Sequence, residues 1–340
     1  MRKVFIAQKK VGVLTALGFI FLTVFVMLGK TADARTRTAK APPPEIIDVI
    51  IIGDRVVNIA YNLDVLPVAM SVRGSLWPMA GEIKTASQIL GCPNHIASTN
   101  KKAVPNGLKK FNVKRVIVEK NDNFCSYKPK VNPGTQVSSI LKGLDVKIDY
   151  VDFSQGVESA IRQTAKLLNR EEKADALIEE YNKNLAKAQK KLPKEKLGKK
   201  VLILSGTYQS DTGKTMVRVE APGGYSDNFF LKPMGCINVG DIFLPENGKA
   251  DKGHYPVAKK RSGFVLDPMI EAKPDIIVIT GNVYAVQKVL ASSIKNNPAF
   301  ADVPAIKNMA IYNLPFYVGS SVIEFPDMLR QWAVALTDSY

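Results

Sequence analysis

Gln155–Leu192 reads "QGVESAIRQTAKLLNREEKADALIEEYNKNLAKAQKKL", with no glycine after Gly156 and no proline before Pro193. Val157, Ala160, Ile161, Leu168, Leu177, Ile178, Tyr181 and Leu185 recur at helical spacing. Glu171, Glu172, Glu179 and Glu180 lie toward the middle, and Lys187, Lys190 and Lys191 toward the end, where cations suit the helix dipole. At 1.5 Å per residue, one continuous helix here would span on the order of 50 Å. A domain of this size needs nothing so long. A rod of that length connects two lobes.

The flanks agree. Before it, "IIDVIIIGD" opens with a buried-type strand from Ile46 to Ile52, followed by a short helix around Arg55–Asn62 and a strand at Val65–Val72. Strands at Arg115–Glu119 and Val146–Val151 each follow a short helix. After it, "KKVLILSG", "PDIIVITG" and "MAIYNLP" read as strands alternating with helices at "SDNFFLKPMG", "AVQKVLASSI" and "EFPDMLRQWAVALTDSY". Alternation of this kind predicts parallel α/β sheets. The expected organisation is an N-terminal α/β lobe over 46–154, a linking helix over 155–192 and a C-terminal α/β lobe over 199–340. Ligands in open α/β sheets bind beyond the carboxyl ends of strands, so two facing lobes make a cleft.

"SGTYQSDTGKTMV" superficially resembles a phosphate-binding loop, but Gly206 and Gly213 are too far apart for one. The residues after Lys214 read as a strand where a helix is required, so Asp211–Lys214 is expected to be a hairpin tip. The chain has 340 residues and a net charge of +16. Its first 34 residues hold five basic side chains and one acidic one, so +12 remains beyond them. That excess favours acidic partners, yet no zinc-finger spacing or basic stripe with interleaved aromatics points to nucleic acid. Arg2, Lys3, Lys9 and Lys10, the apolar run Val11–Leu28 and the Ala32-Asp33-Ala34 site together spell a secretory signal peptide over 1–34, cleaved after Ala34. The apolar run is also close to bilayer-spanning length, which leaves an uncleaved membrane anchor open. "RTRTAKAPPPE" (35–45) reads as a proline-rich tether. Of three cysteines, Cys92 and Cys125 could pair in an oxidising compartment or remain buried thiols.

The order of these phrases resembles the periplasmic substrate-binding proteins of metal-chelate ABC importers, which carry ferric siderophores, cobalamin or haem. "DRVVNIAYNLDVLPVAMSV" looks like that family's opening helix and second strand, and Ser159–Leu192 like its spanning helix. "APGGYSDNFFLKPMGCINVGD" and "LDPMIEAKPDIIVITGN" look like second-lobe segments. The resemblance covers Ile46–Tyr340. It implies two Rossmann-like lobes joined by one long α-helix, the class III periplasmic binding protein architecture, with small hinge motion and a largely preformed cleft. It implies a periplasmic monomer that captures a metal chelate for an ABC permease with cytoplasmic ATPase subunits, with no intrinsic cofactor and no enzymatic activity. Acidic residues that dock such permeases are available in Glu82, Glu119, Asp122, Glu246 and Glu271, none in a matching motif.

Loops after strands supply the ligand candidates Arg73, Trp77, Tyr208, Tyr225, Tyr284, Phe316 and Tyr317, with Arg218 as a further anion contact. Aromatic walls with a cation or two suit a bulky, planar or anionic chelate. A bare transition-metal ion is the alternative ligand for the same fold, with His95 and His254 as its candidate ligands. Haem is another, and a membrane-tethered sensor or assembly protein is the alternative role. No Gly-x-Ser-x-Gly or His-Glu-x-x-His motif marks a hydrolase.

Overall fold

The computed structural model describes residues 43–120, 125, 132–246, 248–260 and 263–338. The expected signal peptide and most of the tether lie outside these residues, as does Asp122. The described chain is one compact unit from Pro44 onward.

The first lobe is a parallel sheet of β1 (Glu45–Ile52), β2 (Val65–Ser71), β3 (Gln88–Ile89), β4 (Arg115–Lys120) and β5 (Lys147–Asp152), in the order β3-β2-β1-β4-β5. It is covered by α1 (Asp54–Asn62), α2 (Pro78–Ile83), α3 (Pro93–Ser98), α4 (Ala103–Phe111), α5 (Pro133–Leu141) and α6 (Gly156–Leu168). The pleat sends Val49 and Ile51 of β1 into one core with α1 and α6, and Ile50 and Ile52 into another with α4 and α5. Strands buried on both faces are the reason "VIII" shows no polar alternation.

The expected rod is broken. Asn169 takes a left-handed conformation (φ 54°) that ends α6, and Arg170 N–H closes the turn on the Ala165 carbonyl at 2.8 Å. A second helix, α7 (Glu171–Gln189), starts directly afterwards with Glu171 and Glu172 in its first turn. α7 alone joins the lobes. Its Ala174, Leu177 and Ile178 pack into the first lobe's core and its Ala188 into the second's. At 19 residues it is about 28 Å long.

The second lobe contains β6 (Lys200–Gln209), β7 (Lys214–Glu220), β8 (Ile237–Asn238), β9 (His254–Pro256), the small pair β10 (Lys259–Lys260) and β11 (Gly263–Phe264), β12 (Ile276–Gly281) and β13 (Ile311–Asn313). The sheet runs β13-β12-β6-β7-β9, with β8 pairing the start of β6. β6 and β7 form the expected hairpin around 210–213. α8 (Pro268–Ala272), α9 (Val283–Asn296), α10 (Pro304–Lys307) and α11 (Phe325–Thr337) cover the sheet, and α11 also packs along α7. "SDNFFLKPMG" yields only a short, wide helical turn over Asp227–Leu231.

Candidate functional site

Two different contacts form where the lobes meet. The first is a seam. Arg73, just past β2, is 4 % exposed, and its Nε donates to Asp54 Oδ2 at 2.5 Å while its backbone N–H donates to Asp54 Oδ1 at 2.8 Å. Its two remaining guanidinium nitrogens cross to the second lobe, donating to Tyr225 Oη and Ser320 Oγ, each at 2.9 Å. Ser320 in turn donates to Asp54 Oδ2 at 2.7 Å. Burial opposes the guanidinium charge, but Asp54, Tyr225 and Glu119 together outweigh it and raise the Arg73 pKa. Beside this network Trp77 Nε1 donates to Ser321 Oγ at 2.9 Å. Asn58 and Asn62 of α1 donate to the Glu324 carboxylate at 2.8 and 3.0 Å. Arg73 and Tyr225, read as ligand contacts from the sequence, are thus held within the protein's own interior.

The second contact is a cavity of about 900 Å³. The first lobe contributes the loop and helix start from Gly74 to Met79. The second contributes the carboxyl ends of β6 (Ser205–Thr207), β12 (Thr280, Gly281) and β13 (Asn313 onward to Val318). This is where an open α/β sheet presents its loops. Gly206 is needed on this wall, since a Cβ there would lie 2.2 Å from the Asn282 carbonyl oxygen. Asn282 caps α9 through Ala285 N–H.

One side of the cavity is basic. Along β7, Val217 and Val219 face the core, so Met216 and Arg218 face the opening. β9 pairs with β7 in a register that places His254 across from Glu220. The turn into β9 has Lys252 and Gly253 both at positive φ (49° and 73°), which matches the twist of a two-residue hairpin. Lys252, Arg218 and His254 therefore line the same cavity. Arg218 reaches Asp251 at 3.4 Å and is 36 % exposed. His254 is buried, which lowers its pKa and keeps it neutral at pH 7. Its Nδ1 lies 3.0 Å from the Lys252 carbonyl, so Nδ1 carries the proton and Nε2 keeps a lone pair. Beneath them Glu220 accepts from Ser226 N–H at 2.8 Å, and burial pushes its pKa up to about 7.

The rest of the lining mixes apolar side chains with two carboxylates, Glu82 and Glu324. Phe316, half-buried, stands edge-on to Tyr225 with centroids 6.4 Å apart, and edge-on to His254 at 6.1 Å. Met79, Met216 and Met328 add soft surface, while Trp77 borders the cavity but is only 1 % exposed. Tyr317 also borders the cavity but is packed among Phe229, Phe230 and Phe325, and burial raises its phenol pKa. Of the sequence candidates, Trp77, Phe316, Tyr317, Arg218 and His254 meet at the cavity. Tyr208 and Tyr284 pack on each other at 5.1 Å, outside its lining. His95 is exposed on α3. Cys92, Cys125 and Cys236 are free thiols. Among the described residues no three His, Cys, Asp or Glu side chains converge as a metal site. Glu119 is fully buried against Arg55 and has no surface to offer a docking partner. Lys252 and the methionines escaped the sequence reading. The Lys-Gly turn before His254 was the available signal for Lys252.

Residues 119–237 match the family model described as periplasmic binding protein. No curated protein matches the sequence. Among solved structures, the periplasmic heme-binding protein RhuT from Roseiflexus sp. RS-1 in apo form is 14% identical, with a TM-score of 0.51 over 88% of this chain and 99% of that one. The periplasmic heme-binding protein BhuT in complex with two hemes is 16% identical, with a TM-score of 0.52 over 87% and 99%. The iron-uptake system-binding protein FeuA from Bacillus subtilis is 17% identical, with a TM-score of 0.50 over 85% and 94%. At such identities the likeness is one of fold: two α/β lobes joined by a helix, the class III periplasmic binding protein architecture.

Proposed function

We propose that this chain, which has the periplasmic binding protein fold and matches that family over residues 119–237, captures a metal chelate between its lobes for delivery to an ABC importer. The observation that carries the reading is the cavity: about 900 Å³, lined by Phe316 and three methionines, by the cations Arg218 and Lys252, and by the carboxylates Glu82 and Glu324. Aromatic and methionine surface buries a large, flat or greasy ligand, and the two cations receive its carboxylates or phenolates. Ferric siderophores, corrinoids and haem share that chemistry. Haem has one observation of its own in its favour, the neutral His254 with an Nε2 lone pair at the cavity wall. The cargo would bring its own metal, so the protein needs no resident one. Export through the N-terminal segment, with release or retention as an anchor, belongs to the same proposal, as does a monomeric shuttle docking on a permease.

The seam favours a cleft that is already formed before ligand arrives. Arg73, Trp77 and Asn58 each hold a partner across the lobes, so wide opening would strip several buried polar groups of partners at once. Native mass spectrometry of protein isolated from its own cell envelope, without refolding, tests the assignment. A chelate-sized adduct, reproduced by calorimetric titration with haem, a ferric catecholate or cobalamin, is the expected result. Absence of an adduct together with no heat from any of the three ligands overturns it.

A further inference from the structure

At the amino ends of the second lobe's parallel strands, the face opposite the cavity exposes two apolar side chains among lysines. Met309, the residue before Ala310 and β13, is 84 % exposed, and Ile237 at the start of β8 is 52 % exposed. Ile237 pairs directly with Lys200, which opens β6. β6 pairs with β12 and β12 with β13, so Lys200, Lys273 and Lys307 all stand beside strand starts on this edge. Leu197 N–H and Gly198 N–H bond the Met234 and Gly235 carbonyls, which brings Lys194, Lys196 and Lys232 to the same end. All six lysines are exposed. In the segments 194–200, 232–237, 273–275 and 307–309 the acidic residues are Glu195 and Asp275. Asp275 already accepts the Lys200 backbone N–H at 2.8 Å. None of the six lysines reaches a carboxylate within ion-pair distance among the described residues. Lys232 bonds a neutral amide, Asn228 Oδ1.

We propose that this lysine-ringed edge of the second lobe docks on an anionic phospholipid surface, with Met309 and Ile237 entering the headgroup layer. Lysines around exposed apolar side chains combine long-range attraction to headgroup phosphates with short-range burial, the pairing that seats proteins at membrane interfaces. Lysine stems also snorkel, so their charges stay with phosphate while Met309 goes deeper. β12 rises about 20 Å from its start to its cavity end, so a molecule docked this way holds its cavity open to the aqueous side. That is a loading posture, and delivery to a membrane permease requires the molecule to turn over. The inference is independent of what the cavity binds.

Met309→Trp in the full chain reports the contact. The native Trp77 and Trp332 are 1 % and 0 % exposed, so brominated lipids leave them unquenched. On vesicles of brominated phosphatidylglycerol the emission of the introduced indole is expected to be largely quenched at low ionic strength and to recover at about 1 M salt, where screening is nearly complete. An uncleaved apolar N-terminal segment would hold the chain on neutral vesicles too, so brominated phosphatidylcholine is the matched control and is expected to leave the introduced indole bright. Leu144→Trp, on an exposed site of the first lobe, is expected to stay bright on both. Lys196→Glu, Lys200→Glu, Lys273→Glu and Lys307→Glu together abolish the quenching at unchanged melting temperature. Should that variant not fold, the salt series on the unmutated lysines decides. Equal quenching on neutral and anionic vesicles, or at Leu144→Trp and Met309→Trp alike, overturns the proposal. So does absence of quenching on anionic vesicles, and binding of soluble polyglutamate in that case assigns the face to an acidic protein.

Discussion

Arg73 on the seam is 4 % exposed and bonds Asp54, Tyr225 and Ser320. Arg218 on the cavity wall is 36 % exposed and reaches Asp251 at 3.4 Å. Arg73 follows a strand and Arg218 lies within one, and both are cations near the place where two lobes meet. The first is so fully engaged that a ligand would have to displace protein from it. The second is held loosely enough to turn toward a ligand at little cost. What separates a structural cation from an available one here is the saturation of its donors, because an engaged, buried charge cannot be released without stranding its partners.

Removing one partner at the seam gives the largest expected effect. Asp54→Ala leaves the Arg73 guanidinium buried without its counter-charge and is expected to destabilise the protein by about 3–5 kcal/mol, measured by denaturant unfolding. A loss below about 1 kcal/mol would mean that the seam is solvated and that the comparison fails.

Glu220, beneath the basic wall, comes next. Its carboxyl titrates at about 7 in the folded protein, above the ordinary glutamate range. The folded state therefore keeps a proton that the unfolded chain releases earlier. Stability from this group is complete below the ordinary range and is lost as pH rises through about 7. The span is at most about 3–4 kcal/mol. Glu220→Gln keeps an acceptor for Ser226 N–H and should flatten that part of the stability–pH curve. A variant curve as steep as the parent's places the titration elsewhere.

At the cavity the expected change is in binding, not stability. Arg218→Ala should weaken an anionic chelate by roughly 10- to 100-fold, the loss of one charge-assisted hydrogen bond. Its melting temperature should stay that of the parent. A stability loss with unchanged affinity would put Arg218 in the same class as Arg73. The smallest effect belongs to Tyr284→Ala. This ring is 53 % exposed and outside the cavity lining, so stability should move by less than about 0.5 kcal/mol and ligand affinity not at all.

The lobes, the hairpin and the joining helix were legible because burial on both sheet faces leaves continuous apolar runs such as Ile50–Ile52, and because helical periodicity persists through α6 and α7. The break at Asn169 was hidden by that same persistence: the apolar spacing continues across it, and only the left-handed preference of asparagine marks the stop. Arg73 misled for a different reason. Its partners Asp54, Tyr225 and Ser320 are 19, 152 and 247 residues away, so nothing local distinguishes a buried guanidinium from an exposed one. Phe316 and Trp77 were readable as loop aromatics after strands. Lys252 was not, since its place on the wall depends on the pairing of β9 with β7.

Val318 and Val322, near the end of the chain, complete the hydrophobic core of the first lobe together with Tyr225. A growing chain therefore has every strand of that lobe long before it has the residues that seal it. The first lobe gains its last interior contacts only when the C-terminal segment threads back, a late and long-range closure. Chains truncated before residue 317 would carry an open-sided lobe, with Trp77 stripped of its Ser321 partner and open to chaperones and proteases.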